Sequence, residues 1–213
     1  MKTGHRKGVY EKHFKRLFDI ICGIAAIAVF WWLYLTLAIL VRIKLGKPIL
    51  FVQERPGKDG KIFKLCKFRT MTDEKDENGK LLPDMIRLTK FGRFLRNTSL
   101  DELPEVINIL RGEMSVVGPR PLLTKYLPLY NEKQRRRHEV RPGMSGYAQT
   151  HGRNAASWEE RFDMDVYYVD HITFLGDMKI IIDTVLSVVK REGIDSNETA
   201  NVTMEEFKGT GIE

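Results

Sequence analysis

Ile20 to Val41 is a run of 22 residues without a charge, and no other feature constrains the fold of this chain as much. As a helix rising ~1.5 Å per residue, it is long enough to cross a bilayer core of ~30 Å. It is too long for a cleaved signal peptide, and no small-residue cleavage pattern follows it. Basic residues stand on both sides, with Arg6, Lys7, Lys12, Lys15 and Arg16 before it and Arg42, Lys44 and Lys47 after it. Positive residues favour the cytoplasmic side of a membrane, so two basic flanks disagree with a simple crossing. A helix that enters, bends and returns satisfies both; a straight span is the alternative. Kinks need an identifiable breaker, and no proline lies between Ile20 and Val41.

The remainder is organised around Asn97-Thr-Ser-Leu-Asp-Glu-Leu-Pro104 and the segment after it. Leu103, Val106, Ile107 and Leu110 recur at helical spacing and form one apolar stripe. Arg111-Gly112 supplies a basic last turn and a residue suited to a left-handed C-cap. Pro104 belongs near the helix start, where its missing N–H costs nothing. A helix N-terminus carries bare N–H donors and partial positive charge, so it suits a phosphate. There Asp101 could act as a nucleophile and Glu102 could hold a divalent cation. The competing reading is structural, with Ser99-x-x-Glu102 as a capping box and its acids as ordinary first-turn stabilisers.

At 213 residues the chain has room for one domain and an anchor, and its formal net charge of +7 suits lipid headgroups, nucleotide phosphates or nucleic acid. Two cysteines, Cys22 in the apolar run and Cys66 in a predicted strand, make no disulfide framework and no zinc spacing. Ile49-Leu-Phe-Val, the turn residues Pro56-Gly57 and Asp59-Gly60, and Lys61 to Phe68 read as a β-hairpin. Lys67 and Arg69 leave its second strand as candidate phosphate contacts, or as solvated charges that guard an edge. Thr72 to Pro83 reads as an exposed loop. Phe91, Phe94 and Leu95 among Arg87, Lys90, Arg93 and Arg96 form a basic amphipathic helix, suited to an anionic membrane surface or to a core with a solvated face. Arg96 is close enough in sequence to Asp101 to share a phosphate with it.

Gly118-Pro119-Arg120-Pro121 holds Arg120 on a stiff backbone, which favours bidentate phosphate contact. The basic run within Leu129–Val140 lacks the aromatic platform, zinc spacing or recognition-helix pattern of a nucleic-acid surface, and reads as a solvated or lipid-facing helix. Gly143-Met-Ser-Gly146 lacks the Gly-x-Ser-x-Gly spacing of a hydrolase elbow. Ser157-Trp-Glu-Glu160 is a second capping box, opening a helix toward Tyr168. A broad apolar face predicts a helix from Leu175 to Val189, stopped by Gly193 and followed by a polar, loosely ordered tail.

Ser99-Leu-Asp-Glu-Leu-Pro, Asn108-Ile-Leu-Arg-Gly-Glu-Met-Ser and Val117-Gly-Pro-Arg-Pro121 together resemble the small monotopic bacterial phosphoglycosyltransferases, over about Phe14 to Gly209. The resemblance implies an α+β fold: a mostly helical small domain with a β-hairpin, on a re-entrant membrane helix (about 20–41) with interfacial amphipathic helices. The division would be an anchor at 1–47, a catalytic domain at 48–195 and a tail at 196–213. Relatives bend the anchor at Ser-Pro, and this chain has Trp31-Trp32 at about that place. The implied reaction transfers sugar 1-phosphate from a UDP-sugar to undecaprenyl phosphate and releases UMP. Asp101 would be the nucleophile, Glu102 would hold Mg²⁺, and Lys67, Arg69, Arg96, Arg120, Arg153 and Asp165 would bind substrate. Thr203-x-Glu205-x-Phe207-x-Gly209 resembles the ending of enzymes that use bacillosamine-type sugars. The implied place is the cytoplasmic face of a bacterial plasma membrane, against anionic lipid, with downstream glycosyltransferases as further partners. A membrane-anchored scaffold or lipid-binding protein without catalysis is the rival reading.

Overall fold

The computed structural model describes residues 8–152, 156–190 and 206–209 of the chain. The apolar run forms helix α1 (Lys15–Lys44), entered through a π-helical turn at Tyr10–Phe14. Helical geometry fails at Phe30 (φ −108°, ψ 17°), one residue ahead of the expected Trp31-Trp32. No proline causes this break. Close to it, the Thr36 hydroxyl donates to the Trp32 carbonyl at 2.8 Å, a back-bond of the kind that bends helices.

The two halves of α1 pack on the same body while the stretch around the break is left bare. Ile24, Val29, Trp31 and Trp32 are exposed. Before the break, Asp19 accepts from the Ser115 hydroxyl (2.8 Å) and the Val116 N–H (2.9 Å), and Lys15 pairs with Asp177 at 2.6 Å. A Cβ on Gly23 would stand 2.9 Å from the Leu110 side chain, so glycine permits this close approach. After the break, Leu37, Val41 and Leu45 are buried with Phe68 and Leu95.

Strands β1 (Leu50–Pro56) and β2 (Ile62–Phe68) make the antiparallel hairpin, in register from Leu50 opposite Phe68 to Pro56 opposite Ile62. The first strand runs four residues beyond the expected Ile49–Val52. Two short helices follow, α2 (Asp84–Arg87) and α3 (Lys90–Asn97), the latter capped by Thr89, whose hydroxyl accepts from the Gly92 N–H. Helix α4 (Glu105–Arg111) ends at Gly112, which has φ 83° as a left-handed C-cap requires. Phe63 and Leu65 of β2 bury against Ile109 and Met114, which fixes α4 on the hairpin.

Strand β3 (Ser115–Val117) leads through a 3₁₀ segment to α5 (Glu132–Arg135), then β4 (Gly143–Ser145) pairs with β3 in parallel. Helices α6 (Tyr147–His151), α7 (Trp158–Asp170) and α8 (Phe174–Lys190) complete an α+β architecture. Ser157 and Glu160 form the expected capping box. Val117, Val140, Tyr168, Val169 and Ile180 make the core between this small sheet and the last two helices.

Two expectations are corrected. The basic run is not one continuous solvated or lipid-facing helix: α5 gives way to a 3₁₀ turn at Arg136–His138, and while Lys133 and Arg135 are exposed, three of its charges pair with acids of α7. Lys133 pairs with Asp163, Arg136 with Asp170 and the buried Arg137 with Asp165. Nor is the tail loose where it is described. Phe207 is buried among Tyr126, Tyr130 and Phe162, and Glu206 pairs with Lys125 at 2.5 Å. Gly193, Thr203 and Glu205 lie outside the described residues.

Candidate active site

Asp101 and Glu102 occupy a 3₁₀ turn (Leu100–Glu102) that leads into α4 through Leu103 and Pro104. Ser99 caps nothing: it has φ 53° and ψ 17°, and its side chain makes no capping bond. The expected capping box is therefore absent, and α4 begins later, at Glu105. Glu102 is held instead from a distance. The Lys67 ammonium and the Arg120 guanidinium both reach its Oε1 at 2.6 Å. Lys67 also lies 3.3 Å from Oε1 of Glu105, a buried carboxylate one turn on that sequence reasoning did not single out. The signal available for it was its spacing of three from Glu102, which sets both on one helical face.

The elements that carry these groups are locked together. Asn108 of α4 is fully buried, and its amide behaves as an extra strand on the free edge of β2. Its Oδ1 accepts from the Cys66 N–H at 3.1 Å, and its Nδ2 donates to the Lys64 carbonyl and to Glu113, each at 2.7 Å. Lys67 is thereby set against Glu102 and Glu105. Arg120 follows β3, and Arg137 donates to its carbonyl at 2.7 Å while gripping Asp165 through two nitrogens.

Charge is distributed unevenly among the acids. Burial, then the neighbouring Glu102, lifts the Asp101 carboxyl above the usual aspartate range, against Lys67 and Arg96. Burial works the same way on Glu102, but Arg120 and Lys67 outweigh it and hold that carboxyl below the usual range. Glu105 goes the other way: burial, then the charge of Glu102, pushes it up to about 7. Arg120 in turn is held firmly protonated by Glu102. One carboxylate is thus fixed in its ionised form while two neighbours bind protons more readily than free acids do.

Asp101 and Glu102 stand at the wall of a cavity of about 690 Å³, with Lys67, Arg69, Arg96 and Arg120 also lining it. Arg96 donates to the Thr70 hydroxyl at 3.0 Å. Arg69 lines the cavity, but its donors go to the Met71 and Lys47 carbonyls and to Asp73. Asp165 is elsewhere, in a second cavity of about 230 Å³ with Arg161 and Trp158, which meets the first at Arg120. Arg153 lies outside the described residues. Arg55 also lines the larger cavity and was read in the sequence only as part of a hairpin.

No group of three or more His, Cys, Asp or Glu side chains arranged for a metal ion exists among the described residues. Mg²⁺ characteristically takes one or two carboxylates and completes its shell with substrate phosphates and water. Glu102, with both cations on one of its two oxygens, fits that pattern.

Comparison with known proteins agrees with the motif. The bacterial sugar transferase family matches residues 10–191. The uncharacterised sugar transferase EpsL of Bacillus subtilis is 54% identical over 197 residues, 92% of this chain and 96% of its own length. The exopolysaccharide production protein ExoY of Sinorhizobium fredii is 36% identical over 84% of this chain and 87% of its own. The UDP-glucose:undecaprenyl-phosphate glucose-1-phosphate transferase of Klebsiella pneumoniae is 39% identical over 81% of this chain but only 39% of its own length.

Proposed function

The chain belongs to the bacterial sugar transferase family, and from that premise we propose that it moves a sugar 1-phosphate from a UDP-sugar to undecaprenyl phosphate, releasing UMP. It is an enzyme, a phosphoglycosyltransferase, and family membership sets aside the scaffold reading. The product would begin the assembly of a glycoconjugate or exopolysaccharide, in keeping with a relative named for exopolysaccharide production.

The observation that carries the mechanism is a buried aspartate on a cation-lined cavity, next to a glutamate that two cations hold ionised. A carboxylate oxygen of Asp101 attacks the β-phosphorus of the UDP-sugar. The bond from that phosphorus to the bridging oxygen breaks, and UMP departs with the oxygen. An oxygen of the lipid phosphate then attacks the same phosphorus and frees the carboxylate. Two displacements replace one difficult transfer. Lys67, Arg96 and Arg120 stabilise the charge that gathers on the phosphoryl oxygens. Glu102 would hold Mg²⁺, which when bound supplies further neutralisation of the diphosphate and the leaving UMP. Asp165, through Arg137, fixes the Arg120 backbone from the far side.

The anchor supports this chemistry because one substrate is soluble and the other stays in the bilayer. The break at Phe30, with both halves of α1 packed on one body, favours a re-entrant helix at the cytoplasmic face of the plasma membrane. The exposed Phe94 of α3 and Met85 and Ile86 of α2 would rest on the anionic lipid surface. Phe207, from the bacillosamine-type ending, docks among Tyr126, Trp158 and Phe162, two of which line the smaller cavity.

Incubation with a UDP-sugar alone, followed by intact-mass analysis, should show one added sugar phosphate on the wild type and none on Asp101→Asn. A panel of UDP-sugars, diacetamido-bacillosamine among them, should identify the donor by Mg²⁺-dependent UMP release. Normal turnover by Asp101→Asn, with deamidation excluded by mass, removes Asp101 as the nucleophile.

A further inference from the structure

Six cationic side chains line the larger cavity: Arg55, Lys67, Arg69, Arg87, Arg96 and Arg120. Most are already engaged by carboxylates. Lys67 serves Glu102 and Glu105, Arg120 serves Glu102, Arg69 holds Asp73 and Arg87 holds Asp84. Arg55 and Arg96 have no carboxylate partner among the described residues. Arg96 donates to Thr70, and Arg55 donates from Nη2 to the Gln53 side chain at 2.7 Å. The buried Nε of Arg55 meets no acceptor among the described residues.

A buried guanidinium N–H without an acceptor is costly, and charged donors more so than neutral ones. The surroundings sharpen this. Burial, then the adjacent Arg120, weakens the hold of Arg55 on its proton, and Glu105 only partly opposes them. An anion placed between Arg55 and Arg120, both of which line the cavity, would relieve the repulsion between them. Gln53 meanwhile fixes one end of the guanidinium, so little conformational freedom remains to be lost on binding.

Position decides which anion this is. Strand β1 starts beside the base of the anchor, where Ile49 and Leu50 pack with Leu37, Val41 and Leu95. Arg55 lies five residues along it, roughly 17 Å away at the rise of an antiparallel strand. Its neighbours there include Tyr126 and Tyr130, which belong to the aromatic cluster of α7 and the tail rather than to the anchor. Arg96 stands at the opposite end, next to Leu95 within the anchor cluster. We propose that Arg55 binds the diphosphate of the nucleotide substrate on the side of the cavity away from the membrane anchor, and that it serves the first displacement and not the second. The proposal rests on the reading of function above, which supplies both the nucleotide diphosphate and the division into two displacements.

The test uses the full chain in nanodiscs and takes UDP as the probe for equilibrium binding by calorimetry. Arg55→Gln should bind UDP about tenfold to a hundredfold more weakly, the loss expected for a charged hydrogen-bonding partner. Arg55→Lys should fall between Arg55→Gln and the wild type, because it keeps the charge but loses the fork. UMP release from the donor sugar nucleotide without lipid should slow in parallel. Transfer from a preformed intermediate to undecaprenyl phosphate should stay within about twofold of wild type. A thermal melt checks the fold of each variant, and if Arg55→Gln does not fold, Arg55→Lys decides. Unchanged UDP binding, or an equal loss in both half-reactions, overturns the proposal. If the wild type itself binds no UDP, the proposal falls with the reading beneath it. If it binds UDP but forms no covalent intermediate, only the two-step mechanism fails, and the binding comparison still judges Arg55.

Discussion

Glu102 and Glu105 face the same lysine yet sit in opposite electrostatic circumstances, and each difference can be measured. Glu102→Gln removes the charge that Lys67 and Arg120 share, so UMP release should fall by roughly a hundredfold or more. The fold should survive, because Glu105 still answers Lys67 and no capping box is lost. A circular dichroism spectrum of an unfolded chain would instead give Glu102 a structural role. The Glu105 carboxyl rises from 4.5 in the unfolded chain to about 7 in the folded one. Between those values the folded state holds more protons, so this group's contribution to stability is full below the lower value and lost as pH rises through the upper. The wild type should therefore lose more melting temperature than Glu105→Gln between about pH 5 and about pH 8. Equal losses would show that folding does not raise the Glu105 carboxyl. The depressed Glu102 titrates below this window and does not confuse it. Neither effect could be read from the sequence, which shows two acids in a first turn. Their opposition comes from Lys67, 35 positions before Glu102, and Arg120, 18 after it.

At the scale of elements, local signals were legible and long-range ones were not. Gly112 as the end of α4 and Ser157 with Glu160 at the start of α7 follow from bonds within a few residues, and both stand as expected. Ser99 offers the same local pattern and fails, because the turn at Leu100–Glu102 is shaped by partners on β2 and after β3. The basic run misled for a like reason: its partners are acids of α7, close in space and distant in sequence. Gly92 in α3 sets a local rule directly against a tertiary contact. Helix propensity favours alanine over glycine by about 1 kcal/mol. Yet a Cβ at Gly92 would lie 1.8 Å from the Thr70 carbonyl oxygen, so α3 would have to move off β2's continuation. It would carry with it the fully buried Leu95 and the Arg96–Thr70 bond. Gly92→Ala should thus destabilise by about 1–3 kcal/mol in chemical denaturation and lower turnover as Arg96 shifts. A stabilised variant with normal turnover would show that the contact yields easily.

The whole molecule turns on how α1 meets the membrane, and here the residues themselves carried the length of the helix and the charge of its flanks, while the family resemblance put the break within one residue of where it falls. No proline marks Phe30; the departure from helical geometry falls between two halves that are each bonded to the same domain. The first half is tied through Lys15, Arg16 and Asp19, and the second through Tyr34 and Leu37 to Leu45. A straight span would have to pull one of these halves away and carry its charges across the bilayer. For the first half that means exposing Asp177, which Lys15 and the Tyr10 and Tyr168 hydroxyls satisfy within the fold. It also means exporting basic residues against the positive-inside preference. The re-entrant arrangement avoids both, at the cost of an irregular turn whose backbone must find partners within the hydrocarbon. The expected result is that both ends of α1 and the Lys75–Lys80 loop share one face. Single cysteines at Lys2 and in that loop, introduced into a background without Cys22 and Cys66, should both resist an impermeant maleimide in intact cells and both react once the cells are opened. Labelling at Lys2 alone in intact cells would mean that α1 spans, and that the packing of its first half on the catalytic domain does not survive in the membrane.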